Sequence, residues 1–124
     1  MEAFRGITVP GFPNFFMLLG PNTGLGHTSV VFMIETQVQH VLSCLRILSR
    51  DKAGTIEAKA AKTRAYNDAL QRRLRRAVWS AGGCRSWYLD DAGVNRAIWP
   101  GSTVEYWART RRARRSAYRV NAPA

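Results

Sequence analysis

The sequence predicts an α/β fragment, an incomplete fold, and three observations carry that class. Phe15 to Leu19 is a continuous apolar run closed by Gly20 and Pro21, which is how a strand buried on both faces reads. Asn22 to Gly26 is then a loop with two glycines, leading into a segment whose apolar residues recur at helical spacing. A strand buried in this way needs parallel neighbours, and the chain offers no second run of the kind, so the isolated chain is expected to fold poorly or stick.

Taken in order, Met1 to Pro10 has mixed polarity with turn residues at Gly6 and Pro10, and reads as a connection entering a core from elsewhere. Pro13 precedes the predicted strand where it can begin one without breaking a ladder. Thr28 or Ser29 caps a helix whose apolar positions are Val30, Val31, Ile34, Val38, Val41, Leu42 and Leu45. Ser49 to Gly54 stops that helix, and Thr55 to Lys59 alternates weakly, as a short strand does.

A second helix is predicted from Ala60 to Trp79. Tyr66, Leu70, Leu74 and Val78 stand four apart on one face, with Arg72, Arg73, Arg75 and Arg76 largely off it. That stripe needs a cover, which a partner helix, a membrane surface or the rest of a larger protein would each supply. Gly82-Gly83 ends the helix, and Ser86–Leu89 and Val94–Trp99 flank a turn at Asp90-Asp-Ala-Gly93, giving a short hairpin. Ser102-Thr-Val-Glu105 is a capping box that opens a third helix, and the basic residues 113–124 are expected to be a disordered tail.

The 124 residues suffice for one small domain. The formal charge of +11, from 19 Lys and Arg against 8 Asp and Glu, favours acidic partners without choosing among nucleic acid, anionic lipid and an acidic protein surface. A solvated arginine-rich face explains the same excess. Cys44, Cys84, His27 and His40 lack the spacing of a metal site, so no metal is expected. Nothing reads as a secretory signal or a membrane span, and a cytoplasmic protein is the expectation.

The glycine loop has a chemical use. The first amides of a helix lack internal partners and carry the positive end of its dipole, and glycines allow close approach, so an electron-rich group such as a phosphate or carbonyl fits there. Gly24-Leu-Gly-His-Thr-Ser29 carries Ser29 where a dinucleotide fingerprint has its third glycine. The same loop also serves as a plain turn from strand to helix. His27 is read as a turn residue, and no catalytic residue is assigned.

The wording of the stretch is more specific than its pattern. Val9-Pro-Gly-Phe-Pro-Asn-Phe-Phe-Met-Leu-Leu-Gly-Pro-Asn-Thr-Gly-Leu-Gly-His-Thr-Ser-Val-Val-Phe-Met-Ile-Glu35 closely resembles the carboxy-terminal part of flavin-dependent Baeyer–Villiger monooxygenases, within the flavin-containing monooxygenase group. The resemblance resumes at Trp79-Ser-Ala-Gly-Gly-Cys-Arg-Ser-Trp-Tyr-Leu-Asp90 and Trp99-Pro-Gly101, and covers about Glu2 to Arg112.

That resemblance implies an organisation. Residues 1–50 would be the last strand and helix of a Rossmann-like FAD-binding domain, the helix start facing the flavin, and residues 51–112 a helical and hairpin segment lining the cofactor cleft. Gly24, Gly26, Thr28 and Ser29 would lie along the flavin, the amides near Thr28 and Ser29 contacting it, while Asn22 and Thr23 either hold the loop shape or reach a cofactor carbonyl. Trp87, in the segment resembling a loop that closes over bound NADP, would contact the nicotinamide cofactor.

Complete relatives use FAD and NADPH to insert oxygen beside a ketone carbonyl, and a ketone or sulfide would be the substrate. Their two Gly-x-Gly-x-x-Gly units and the Phe-x-Gly-x-x-x-His-x-x-x-Trp-Pro signature do not occur here. The chain is therefore expected to be inactive alone, with Met1 opening in the middle of a fold and the missing amino-terminal part either a separate chain or lost by truncation. The alternative is a small basic nucleic-acid-binding module using Arg72 to Arg76 and Arg109 to Arg119.

Overall fold

The computed structural model describes residues 2–24, 30–76 and 99–123. Helix α1 (Val30–Arg50) runs behind an irregular amino-terminal segment. Strand β1 (Thr55–Ala58) follows, then α2 (Ala60–Arg76), α3 (Thr103–Thr110), a 3-10 turn (Arg115–Ala117) and strand β2 (Tyr118–Asn121). The two strands pair antiparallel, Thr55 opposite Asn121 and Ala58 opposite Tyr118.

Two packed clusters hold these elements. Phe4, Cys44, Ile47, Ile56, Ala58, Ala117 and Tyr118 join the amino-terminal segment, α1 and the sheet. Met33, Leu70, Leu74, Trp99 and Tyr106 join α1, α2 and α3, and Tyr66 packs against both clusters. The predicted stripe of α2 thus finds its cover within the chain through Tyr66, Leu70 and Leu74. Val78, Trp79 and the predicted hairpin lie outside the described residues.

Helix α1 is turned inside out relative to an ordinary surface helix. Its buried positions are Met33, Thr36, Gln37, His40, Cys44 and Ile47, mostly polar or small. On the opposite face Val31, Val38, Leu42 and Leu45 stand 62%, 41%, 45% and 47% exposed.

The capping box of α3 forms by half. Ser102 Oγ accepts from the Glu105 amide at 3.0 Å, while the Glu105 carboxylate turns away to the Arg73 guanidinium.

Two expectations fail. No strand forms over Phe15–Leu19, and the strand–loop–helix unit begins instead with an irregular segment. Its backbone is bracketed by left-handed residues, Asn14 at φ 60° and Leu19 at φ 55°. Its amides bond elsewhere: Asn14 to the Ile56 carbonyl, Met17 to the Ile7 carbonyl and Leu19 to the Gln37 side chain. A five-residue apolar run takes its conformation from its partners, and neighbouring strands are not among the described residues.

The tail over 113–124 is the second correction, because its central residues are ordered. Tyr118 is fully buried, β2 completes a ladder with β1, and the Gly54 amide reaches the Asn121 carbonyl at 2.9 Å. One aromatic anchor and four strand residues outweigh the arginine-rich composition around them.

Candidate functional site

Residues 20–24 approach the start of α1, and close contact with the turn at Phe4–Thr8 fixes their shape. Gly6 has φ 72°, and a Cβ there would stand 2.2 Å from Thr23 Cγ2 and 2.9 Å from the Pro21 carbonyl oxygen. Gly20 faces the same turn, where a Cβ would meet the Gly6 carbonyl oxygen at 2.3 Å. Only two glycines allow the strands of backbone to touch here. Asn22 adopts φ 58°, a conformation its short amide side chain tolerates.

The Thr23 hydroxyl donates to the Gly20 carbonyl at 2.7 Å, and the Trp99 amide donates to the Gly24 carbonyl at 3.0 Å. Asn22 and Thr23 are buried and Gly24 is half-buried. Of the predicted site residues these three are brought together ahead of α1, whereas Gly26, Thr28, Ser29 and Trp87 lie outside the described residues. The first turn of α1 contains no acidic residue, so no side chain of its own neutralises the positive end of the helix dipole.

Behind the loop lies a polar network that the sequence reading did not find. Gln37 Oε1 accepts from the Leu19 amide at 2.9 Å, Gln37 Nε2 donates to the Tyr106 hydroxyl at 3.3 Å, and that hydroxyl donates to the Arg5 carbonyl at 2.6 Å. His40 is the second centre. Its Nδ1 lies 2.6 Å from the Thr110 carbonyl, which can only accept, so Nδ1 carries the proton. In the neutral ring Nε2 must then accept, and the Tyr118 hydroxyl donates to it at 2.6 Å. Thr8 Oγ1, 3.2 Å away, donates to the Tyr118 oxygen in turn.

Every hydrogen in that chain has a fixed direction. Burial lowers the His40 pKa to about 4, against an opposing contribution from the Thr110 carbonyl, so the ring is neutral near pH 7. Burial likewise raises the Tyr106 and Tyr118 hydroxyls and pushes the Cys44 thiol up to about 12, which makes it unreactive. The signal available in sequence was polar residues at helical spacing, Gln37, His40 and Cys44, inside an otherwise apolar helix.

Three acidic residues are engaged with arginines. Asp51 pairs with Arg50 and Arg115, Glu57 with Arg119, and Glu105 with Arg73 and Arg109. Arg115 and Arg119 of the basic tail therefore have partners within the fold. Among the described residues no three His, Cys, Asp or Glu side chains converge, and no helix is long and apolar enough to cross a membrane.

No family model matches the chain. It is 50% identical over 120 residues to a Baeyer–Villiger monooxygenase of Pseudomonas aeruginosa, covering 96% of this chain and 23% of the relative. It is 46% identical over 125 residues to a Baeyer–Villiger monooxygenase of Streptomyces coelicolor, covering 100% of this chain and 24% of the relative. The chain thus spans about a quarter of the length of the curated relatives it matches. In fold it is similar to an oxidized steroid monooxygenase bound to NADP, with a TM-score of 0.84 at 21% identity, over 99% of this chain and 24% of that one. By residue identity along nearly its whole length, the chain belongs to the Baeyer–Villiger monooxygenase family.

Proposed function

We propose that the chain forms one wall of the cofactor site of a Baeyer–Villiger-type monooxygenase, at the carboxy-terminal end of its Rossmann-like FAD-binding domain. The complete enzyme would use FAD and NADPH and insert oxygen into a ketone or sulfide. The observation that carries this reading is the reversed α1, whose outward apolar face belongs against further protein, as an interior helix does. Phe12, Phe15, Leu18 and Leu19 extend that exposed apolar surface. The remaining walls come from sequence outside these residues, a separate amino-terminal chain being one source.

When bound, FAD supplies the redox chemistry and NADPH the reducing equivalents. The residues here bind and orient. The turn at Phe4–Thr8 fixes Gly20–Gly24, Asn22 and Thr23 hold the loop shape, and Gly24 and Gly26 let a ring approach the backbone. The amides at Thr28 and Ser29, which precede α1 in sequence, would donate to an electron-rich flavin edge. Trp87 would pack on the nicotinamide cofactor and help exclude water. The buried free thiol of Cys44 suits the reducing cytoplasm.

The test is a graft of this chain into the Pseudomonas relative in place of its homologous segment. The chimera should purify with bound flavin and oxidise NADPH faster when a ketone is added. A folded, soluble chimera without flavin would overturn the proposal.

A further inference from the structure

A cleft beside α2 brings together cations that the cofactor reading does not use. It is lined by Arg5, Tyr66, Leu70, Arg73, Trp99 and Arg109 and has a volume of about 90 Å³. Three guanidinium groups line it, and two of them, those of Arg73 and Arg109, pair with the single carboxylate of Glu105. A surplus of two positive charges remains.

Arg5 is the least compensated. Its guanidinium carbon lies 4.9 Å from the Tyr66 ring centre and 5.4 Å from that of Phe4, and among the described residues its surroundings hold Arg109 but no acid. Burial, opposed in part by Tyr66, pulls its pKa below the usual arginine value. A half-buried cation without a counter-ion is costly, and stacked rings offset only part of that cost. Tyr66 supplies an independent sign: its hydroxyl is buried, and no hydrogen-bond partner reaches it. Burial raises it to about 12, so the phenol keeps its proton and can donate.

We propose that this cleft binds a small oxyanion of the phosphate or sulfate class, held by the guanidinium groups of Arg5, Arg73 and Arg109 and by the Tyr66 hydroxyl. Forked guanidinium donors match the oxygens of such an anion, and Glu105 holds Arg73 and Arg109 in place while leaving other N–H groups for it. The volume admits a group of a few heavy atoms and is well below the roughly 300 Å³ at which sites for drug-sized ligands begin.

The experiment is titration of the full chain with sodium phosphate, sodium sulfate and sodium acetate at constant ionic strength, read by NMR at the arginine Nε–H and tryptophan indole signals. Phosphate and sulfate should bind saturably with Kd on the order of millimolar, and acetate more weakly. Arg5→Gln should weaken phosphate binding about tenfold and Tyr66→Phe about threefold, whereas the double variant Arg46→Gln/Arg112→Gln, at residues that line a separate groove, should leave it unchanged.

Linear, unsaturated shifts would overturn the proposal, as would equal loss in the remote double variant or acetate binding as tightly as phosphate. Should Arg5→Gln unfold the chain, Tyr66→Phe decides, since its hydroxyl bonds nothing in the fold. Unchanged phosphate affinity in that variant would sink the site.

Discussion

Acid should loosen this fold well before its carboxylates titrate, and His40 sets the reason. In the unfolded chain the imidazole titrates near its ordinary value of 6.5, and in the fold near 4. Above pH 6.5 both states hold a neutral ring and His40 contributes its full share. As pH falls from 6.5 toward 4 only the unfolded chain gains a proton, so stability declines through that window and levels off below it. At pH 5 the loss is about 2 kcal/mol, rising to about 3 kcal/mol below pH 4, at 1.36 kcal/mol per pH unit. For a domain of this size that is roughly 8 °C in Tm at pH 5.

The assay is urea or thermal unfolding of the chain from pH 7.5 to 4.5, alongside His40→Gln. Wild type should lose stability with a slope approaching one proton, and the variant should be flat from pH 7 to 5, though less stable throughout. Asp51, Glu57 and Glu105 are held below the ordinary carboxylate range, by Arg115, by the Gly11 amide and by Arg73 respectively. Their contribution is lost only as pH falls below about 4.5, so the two windows separate. A stability that stays constant from pH 7 to 5 in wild type would refute the assignment of a neutral, buried His40.

Three further outcomes are expected. Gly6→Ala should cost about 2–4 kcal/mol in urea unfolding, since the added carbon meets Thr23 and Pro21 at a left-handed position; a cost under about 0.5 kcal/mol would mean the turn relaxes freely. Ser102→Ala should cost about 1 kcal/mol and speed amide exchange in the first turn of α3, because the Glu105 amide loses its acceptor. Leu42→Lys should reduce self-association of the isolated chain in sedimentation and change its Tm little, yet lower flavin retention in the Pseudomonas chimera; a large fall in the Tm of the isolated chain would show that the outward face of α1 is already packed.

Sequence periodicity found the helices because their signals are local. The spacing of Tyr66, Leu70 and Leu74, the stop before Gly54 and the pairing of Ser102 with Glu105 all act within a few residues. Strand β2 was hidden because its partner lies some sixty residues earlier, and four residues of weak alternation beside an arginine run carry no signal of their own. Phe15–Leu19 misled for the related reason that an apolar run announces burial without saying against what.

At the site, a turn through Asn22 to Gly24 ahead of a helix was legible from its glycines and from the helical spacing that follows. The contact of Gly6 with Thr23, the Leu19–Gln37 bond and the direction of the His40 chain were not. Each depends on groups that only the tertiary fold brings together, and the family resemblance was specific because it spans such separated segments at once.

The reversed α1 also changes which substitutions the chain can bear. Gln37 and His40 each satisfy two partners with directed bonds, so few side chains of equal shape will serve there, and even an apolar one of the right size leaves buried donors stranded. Val31, Val38, Leu42 and Leu45 ask only for hydrocarbon of suitable bulk. Sequence drift along this helix should therefore run opposite to the usual rule, with its inward positions nearly frozen in chemical type and its outward ones trading freely among aliphatic residues.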